Sequence, residues 1–187
     1  IDIHESIGYT DFSLQKFFEY AKTQNWYQDT LFVFTGDHTY KTSRPEYDNE
    51  LGRYRVPLIF FHPTFKWPNV DTSEVVQHID ILPSILDFVG AKKSLKNYLS
   101  RSVFVPGPRT AMLYIDGRYT LVSQKYFMQY HRGGEFNMFA IEDLNQKENL
   151  KEPAIEKQRL ENTMKATMQY FSQGMWDNKL YYPSTGR

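Results

Sequence analysis

Apolar positions fall into distinct periodicities along the chain. Ile7, Leu14, Phe17, Phe18 and Ala21 lie near one face at helical spacing, which predicts a helix over roughly residues 5 to 24. Thr30-Leu31-Phe32-Val33-Phe34-Thr35 follows as an apolar run without alternation. Such a run suits a strand covered on both faces, as in a parallel sheet flanked by helices. Gly36 ends it, a polar stretch from Asp37 to Arg55 comes next, and Val56 to Phe61 is a second buried-strand candidate. Asp80 to Val89 reads as a short amphipathic helix through Ile81, Leu82, Ile85, Leu86 and Val89, closed by Gly90 as C-cap. Alternating strand and helix signals predict an α/β layer whose sheet is mainly parallel. From Lys92 to Pro108 the pattern weakens into a surface connection.

Beyond that point the periodicity changes. Ala111 to Ile115 and Arg118 to Ser123 flank Asp116-Gly117, a strong type I′ hairpin signal. Lys125 to Tyr130 and Glu135 to Ile141 flank a loop with Gly133-Gly134, predicting a second hairpin and hence an antiparallel meander. Pro153 stands well at a helix start, and Leu160, Met164, Met168, Phe171 and Met175 form one stripe after it. The expected organisation is an α/β portion over 1–110, with a meander and terminal helix of the same domain over 111–187. The terminal helix is expected to bury Leu160, Met164 and Phe171.

Composition narrows the function classes. Apolar residues make up 41% of the 187 and aromatics 17%, so an ordered core is expected rather than disorder. Lys plus Arg (22) equals Asp plus Glu (22), and no basic run interrupts the balance, which argues against a nucleic-acid partner. The absence of cysteine excludes disulfides and thiolate metal sites within this segment. No apolar run approaches the roughly 20 residues that span a bilayer. The chain opens at Ile1 rather than methionine, so the beginning of a natural protein is expected to be missing.

The chemistry concentrates in Gly36-Asp37-His38. A carboxylate and an imidazole stand side by side just past a buried strand, where ligands of open α/β sheets bind. Neighbours within a strand point to opposite faces, but after a glycine the chain can turn and aim both at one ion. Oxygen plus imidazole nitrogen suits manganese or zinc, with magnesium open where oxygen donors dominate. On residue types alone, a loop pair that caps a helix or is merely solvated stays open. Lys41 and Arg44 follow in the polar loop. A cation beside a phosphate or sulfate site makes physical sense, so Lys41 is the candidate substrate contact, whereas Arg44 reads as a solvated charge. His62 and His78 read as structural, Asp80 as a helix N-cap or first-turn acid, and the methionine and phenylalanine stripe as core.

Several ordered motifs together resemble one family. Tyr9-Thr10-Asp11 and Trp26 through His38 look like the closing part of sulfatase-fold enzymes. Leu51-Gly52-Arg53-Tyr54-Arg55-Val56-Pro57-Leu58 and Gln77 through Leu86 extend the match, and Asn137 to Leu144 continues it loosely. The likeness is nearest to the lipoteichoic acid synthase branch of the alkaline phosphatase superfamily.

This resemblance implies a C-terminal portion of an alkaline phosphatase/sulfatase-like fold with Asp37 and His38 as ligands of one divalent metal. Manganese is the first choice, with zinc, magnesium or calcium as alternatives. It implies further that an acidic ligand and the nucleophile (a threonine, or a formylglycine made from Cys or Ser) belong to an N-terminal half upstream of Ile1, so no catalytic nucleophile is expected here. The expected chemistry is metal-assisted cleavage or transfer of a phosphate or sulfate ester through a covalent intermediate, on lipid-linked or glycan substrates. The parent is expected to be extracytoplasmic and anchored in a membrane, and the segment alone to be inactive. The competing class is a non-catalytic remnant that keeps the fold as a binding or structural module.

Overall fold

A computed structural model describes residues 3–40, 42, 44–67, 71–91, 95–151, 153–180 and 182–183. It divides into two compact units, Ile1–Trp67 and Pro68–Arg187.

The first unit contains helix α1 (Ile3–Ala21), strand β1 (Phe32–Thr35) and strand β2 (Leu58–Phe61). Its core is aromatic: Ala21, Tyr27 and Phe32 are buried, with Phe18, Phe34 and Phe61 packed against them. The Phe18 ring lies 5.1 Å from Phe32, 5.9 Å from Phe34 and 5.8 Å from Phe61, at tilted or edge-on angles that ring quadrupoles favour. Only the C-terminal end of the expected α1 face is used in this way. Ile7, Leu14 and Phe17 remain 59%, 40% and 44% exposed, and Tyr9, Phe12 and Tyr20 add apolar surface around the helix.

The two strands do not pair in parallel as the unalternating runs suggested. Phe32 pairs with Phe61 and Thr35 with Leu58, an antiparallel register. Parallel neighbours need a long crossover, usually a helix. Among the described residues between β1 and β2 the regular structure is one short 3₁₀ turn at Gly52–Tyr54, so the chain doubles back as a wide hairpin. Strand β2 is covered only in part, with Ile59 half exposed.

The second unit holds α2 (Ile81–Phe88), the short pair β3 (Leu95–Lys96) with β8 (Tyr182–Pro183), the strands β4 (Ala111–Ile115), β5 (Arg118–Val122), β6 (Tyr126–His131) and β7 (Phe136–Ala140), and α3 (Ala154–Trp176). The four central strands form an antiparallel meander in the order β4-β5-β6-β7, as expected. Asp116 and Gly117 both take positive φ (47° and 80°), which a type I′ turn requires. Gly90 at φ 66°, with Ala91 N–H donating to the Leu86 carbonyl, ends α2 in a Schellman-type cap.

Alternation along the strands puts Leu121, Met128 and Met138 on one face, where Leu160 and Met164 of α3 cover them and Met168 packs beside them. Phe171, expected in this core, is 49% exposed. The 23-residue helix is about 35 Å long, whereas strands of five or six residues span only about 17–20 Å. The apolar stripe therefore outruns the sheet.

The stretch read as a surface connection is internally anchored. Arg109 and Asp80, both nearly buried, approach to 3.6 Å (Nη1 to Oδ2). Asp80 also accepts from the Arg101 amide (2.9 Å) and, in a capping box, from the Gln77 amide (3.1 Å). Arg109 donates to the Arg101, Ser102 and Val105 carbonyls. Burial pushes the Asp80 carboxyl above its ordinary pKa, outweighing the two amides and the nearby arginines. It depresses the Arg109 guanidinium in the same way, each group losing hydration on its charged form. Among the described residues no helix is long and apolar enough to cross a membrane.

Candidate metal-ligand site

The Gly36-Asp37-His38-Thr39 segment leaves the end of β1. A Cβ on Gly36 would lie 3.3 Å from Val56 Cγ1, so a larger residue would press the segment away from the start of β2. Asp37 and His38 project into solvent, with side chains 90% and 77% exposed.

Their polar atoms are divided in a way that matters for chemistry. Asp37 Oδ1 accepts the His38 backbone N–H at 2.9 Å. His38 Nδ1 lies 2.9 Å from the Thr39 carbonyl oxygen. A carbonyl only accepts, so this contact makes Nδ1 the donor and leaves the lone pair on Nε2. Nε2 and Asp37 Oδ2 then face each other at 3.6 Å. First-row ions hold N and O donors at about 2.0–2.2 Å, which puts two ligands about 3.0 Å apart at a right angle and about 3.4 Å apart at the tetrahedral angle. The observed separation is within a small side-chain rotation of that bite. The donor set fits a divalent ion on two points. Among the described residues no group of three or more His, Asp or Glu side chains gathers here or elsewhere to complete such a site.

A longer-range bond also holds this segment. Thr39 Oγ1 donates to the Arg53 carbonyl at 2.6 Å. Arg53 belongs to a turn pinned by Asn49, whose Oδ1 accepts the Gly52 amide (2.8 Å) and whose Nδ2 donates to the Pro45 carbonyl (2.9 Å). The 45–53 part of the polar stretch is thus a folded turn.

The other sequence candidates separate as follows. Lys41 lies outside the described residues. Arg44 is largely solvated, with its guanidinium 3.9 Å from Glu46. His62 Nδ1 accepts the amides of Thr64 and Phe65 (3.3 and 3.2 Å), a structural use in a turn. His78 and Asp80 belong to the second unit, where His78 lines an open groove of about 310 Å³ along α2 with Leu82, Leu86, Asp87 and Ser102.

Residues 3–91 match the family model described as Sulfatase. No curated protein matches the chain. Two solved structures share its fold. One is a protein in the alkaline phosphatase superfamily from Vibrio parahaemolyticus, with 20% identity and a TM-score of 0.68 over 93% of this chain and 42% of that one. The other is BT4656, solved in complex with its substrate D-glucosamine-2-N,6-O-disulfate, with 16% identity and a TM-score of 0.56 over 85% of this chain and 38% of that one. The chain thus spans about two-fifths of the length of the structures it resembles. Its α/β fold is similar to part of that alkaline phosphatase superfamily structure, and the Sulfatase match covers the portion that carries Asp37 and His38.

Proposed function

We propose that this chain supplies the Asp37–His38 part of a metal site in a sulfatase-family enzyme that cleaves or transfers phosphate or sulfate esters. The observation that carries the reading is the pairing of Asp37 Oδ2 with His38 Nε2 at 3.6 Å, the imidazole N–H being spent on the Thr39 carbonyl. A divalent ion held there, manganese first and zinc, magnesium or calcium otherwise, would supply Lewis-acid stabilisation of the ester oxyanion. The residues of this chain would orient the ion. The remaining acidic ligand and the nucleophile would come from a complementary sulfatase-family segment. The exposed apolar circumference of α1 and the small, partly covered β1–β2 pair suit such a segment, since a two-stranded sheet is marginal alone and exposed patches of this kind mark interaction surfaces.

Lys41 would meet the substrate anion. The lipoteichoic acid synthase-like branch, with a lipid-linked or glycan phosphoester and an extracytoplasmic, membrane-anchored parent, rests on the motif likeness at Leu51-Gly52-Arg53-Tyr54. The sulfated-sugar substrate of BT4656 makes a glycan sulfate the other substrate class to test. The assay offers manganese or zinc with an activated phosphodiester and an aryl sulfate, to the chain alone and to the chain joined to its complement. Turnover is expected only from the joined form and should vanish in Asp37→Ala. Turnover by the isolated chain that Asp37→Ala abolishes would show a complete site within these residues. A joined form that turns over equally well without Asp37 would refute the metal role.

A further inference from the structure

Resting on the reading of Asp37 and His38 as ligands, we propose that Thr39 is a positioning residue that fixes which nitrogen His38 offers to the ion. Two consecutive hydrogen bonds carry the inference. The Thr39 hydroxyl donates to the Arg53 carbonyl at 2.6 Å, across fourteen residues of sequence, and so ties the segment after β1 to the 45–55 turn. The Thr39 carbonyl in turn faces His38 Nδ1 at 2.9 Å. A backbone carbonyl has no proton to give, so the nitrogen that faces it must be N–H. Fixing that carbonyl therefore fixes the tautomer and the ring orientation together.

The arrangement matters because the residue is otherwise unconstrained. The His38 ring is 77% exposed, so burial does little to hold it. A solvated imidazole exchanges freely between tautomers and rotamers, and free histidine favours the Nε2–H form, which points a proton rather than a lone pair at the ion. Metal-bound histidines generally give their other N–H to a carbonyl or carboxylate, and loss of such a partner weakens binding roughly 10–100-fold. In this chain the partner is the neighbouring peptide itself. That peptide could swing away through its own φ and ψ, and the long-range bond of the Thr39 side chain opposes the swing. The turn that receives the bond is itself rigid. Gly52 sits too close to the Tyr47 and Glu46 backbone for any side chain, and Asn49 bonds both ends of the turn. Thr39 thus couples the loop at 45–55 to the metal-facing nitrogen without touching the metal.

Long-range proton–nitrogen correlation on the full ¹⁵N-labelled chain reads the tautomer directly and needs no metal. His38→Asn identifies the His38 signals among the five histidines. At about pH 9, where imidazoles are neutral, the wild type should show His38 predominantly as Nδ1–H. Thr39→Val, which keeps the shape and removes the hydroxyl, should move it to a mixture weighted towards Nε2–H, and Thr39→Ser should restore the wild-type pattern. Retention of the Nδ1–H form in Thr39→Val would overturn the proposal, and so would failure of Thr39→Ser to restore it. Should Thr39→Val not fold, Thr39→Ala against Thr39→Ser provides the same contrast.

A zinc titration separates this claim from the metal reading beneath it. A roughly tenfold loss of affinity in Thr39→Val, with Thr39→Ser near wild type, supports the proposal. A wild type that holds the Nδ1–H form but binds zinc no better than Asp37→Asn supports the positioning role and overturns the ligand assignment.

Discussion

Replacing Gly52 by alanine probes whether the polar loop is the scaffold on which the candidate site stands. A Cβ at this position would lie 2.5 Å from Tyr47 Cα, 2.7 Å from the Tyr47 carbonyl oxygen and 2.8 Å from that of Glu46. Carbon atoms rest about 3.5–4.0 Å apart, so the 46–47 backbone would have to retreat by about 1 Å. All three obstacles are main chain, and no rotamer change relieves them. Overpacking of this kind costs about 1–3 kcal/mol, and the stiffer unfolded chain of alanine returns about 0.4–1 kcal/mol. We expect a net loss of about 1.3 kcal/mol, felt in the turn rather than in the meander. Native-state hydrogen exchange reads this at the amides of Tyr47, Arg53, Tyr54 and Arg55, which are bonded to Arg44, Asn49, Leu51 and Gly52. Their exchange should quicken about tenfold, while that of β5 and β6 stays unchanged. The His38 ring signals should shift as well, because the Arg53 carbonyl would no longer hold Thr39. Wild-type exchange in the turn would refute the close-approach argument, and altered turn exchange with unmoved His38 signals would refute the link to the site.

Other perturbations test other parts of the account. At neutral pH, Asp80→Ala should cost about 3–5 kcal/mol in urea unfolding, since it strands the nearly buried Arg109 charge; a loss below about 1 kcal/mol would show the network to be slack. Burial raises the folded pKa of Asp80, so its stabilising contribution is complete below the ordinary carboxylate range, near 3.9, and declines as pH rises through the raised value. The stability of the wild type relative to Asp80→Asn should therefore rise on acidification, and a relative stability that falls contradicts the burial argument. Met164→Ala should cost about 2–5 kcal/mol and Phe171→Ala under about 0.5 kcal/mol, compared by the same denaturation; equal losses would mean that α3 packs along its whole stripe.

How much of this was legible in the sequence depended on how local the governing physics is. Asp116-Gly117, Gly90 and the Leu160/Met164 stripe announce their structures because a positive φ or a helical repeat is fixed within a few residues. The pairing direction of β1 and β2 is not local. An apolar run such as Leu31 to Phe34 states only that a strand can be covered on both faces, and the direction of its pairing with β2 depends on a long polar connection that carries no crossover helix among its described residues. Phe171 was misplaced because periodicity gives the face of a helix but not where its partner sheet ends. The Asp80–Arg109 pair was half legible: an acid at a helix start was expected, but its partner lies in a Pro-Gly-Pro-Arg stretch that reads as surface. At the site, Gly36-Asp37-His38 stood out by residue type, whereas Thr39, Asn49 and Gly52 acquire meaning only through contacts made across the loop.

The central claim is that Asp37 and His38 together hold a divalent ion, and manganese titration of the ¹⁵N-labelled chain tests it most directly. Paramagnetic broadening reports proximity even when an incomplete ligand set binds weakly, so it does not require the full site. Substoichiometric manganese should broaden the amides of Gly36 to Thr39 and the His38 ring first, and Asp37→Asn and His38→Gln should each abolish the effect. Broadening centred elsewhere on the chain, or persisting at 36–39 in both variants, would contradict it.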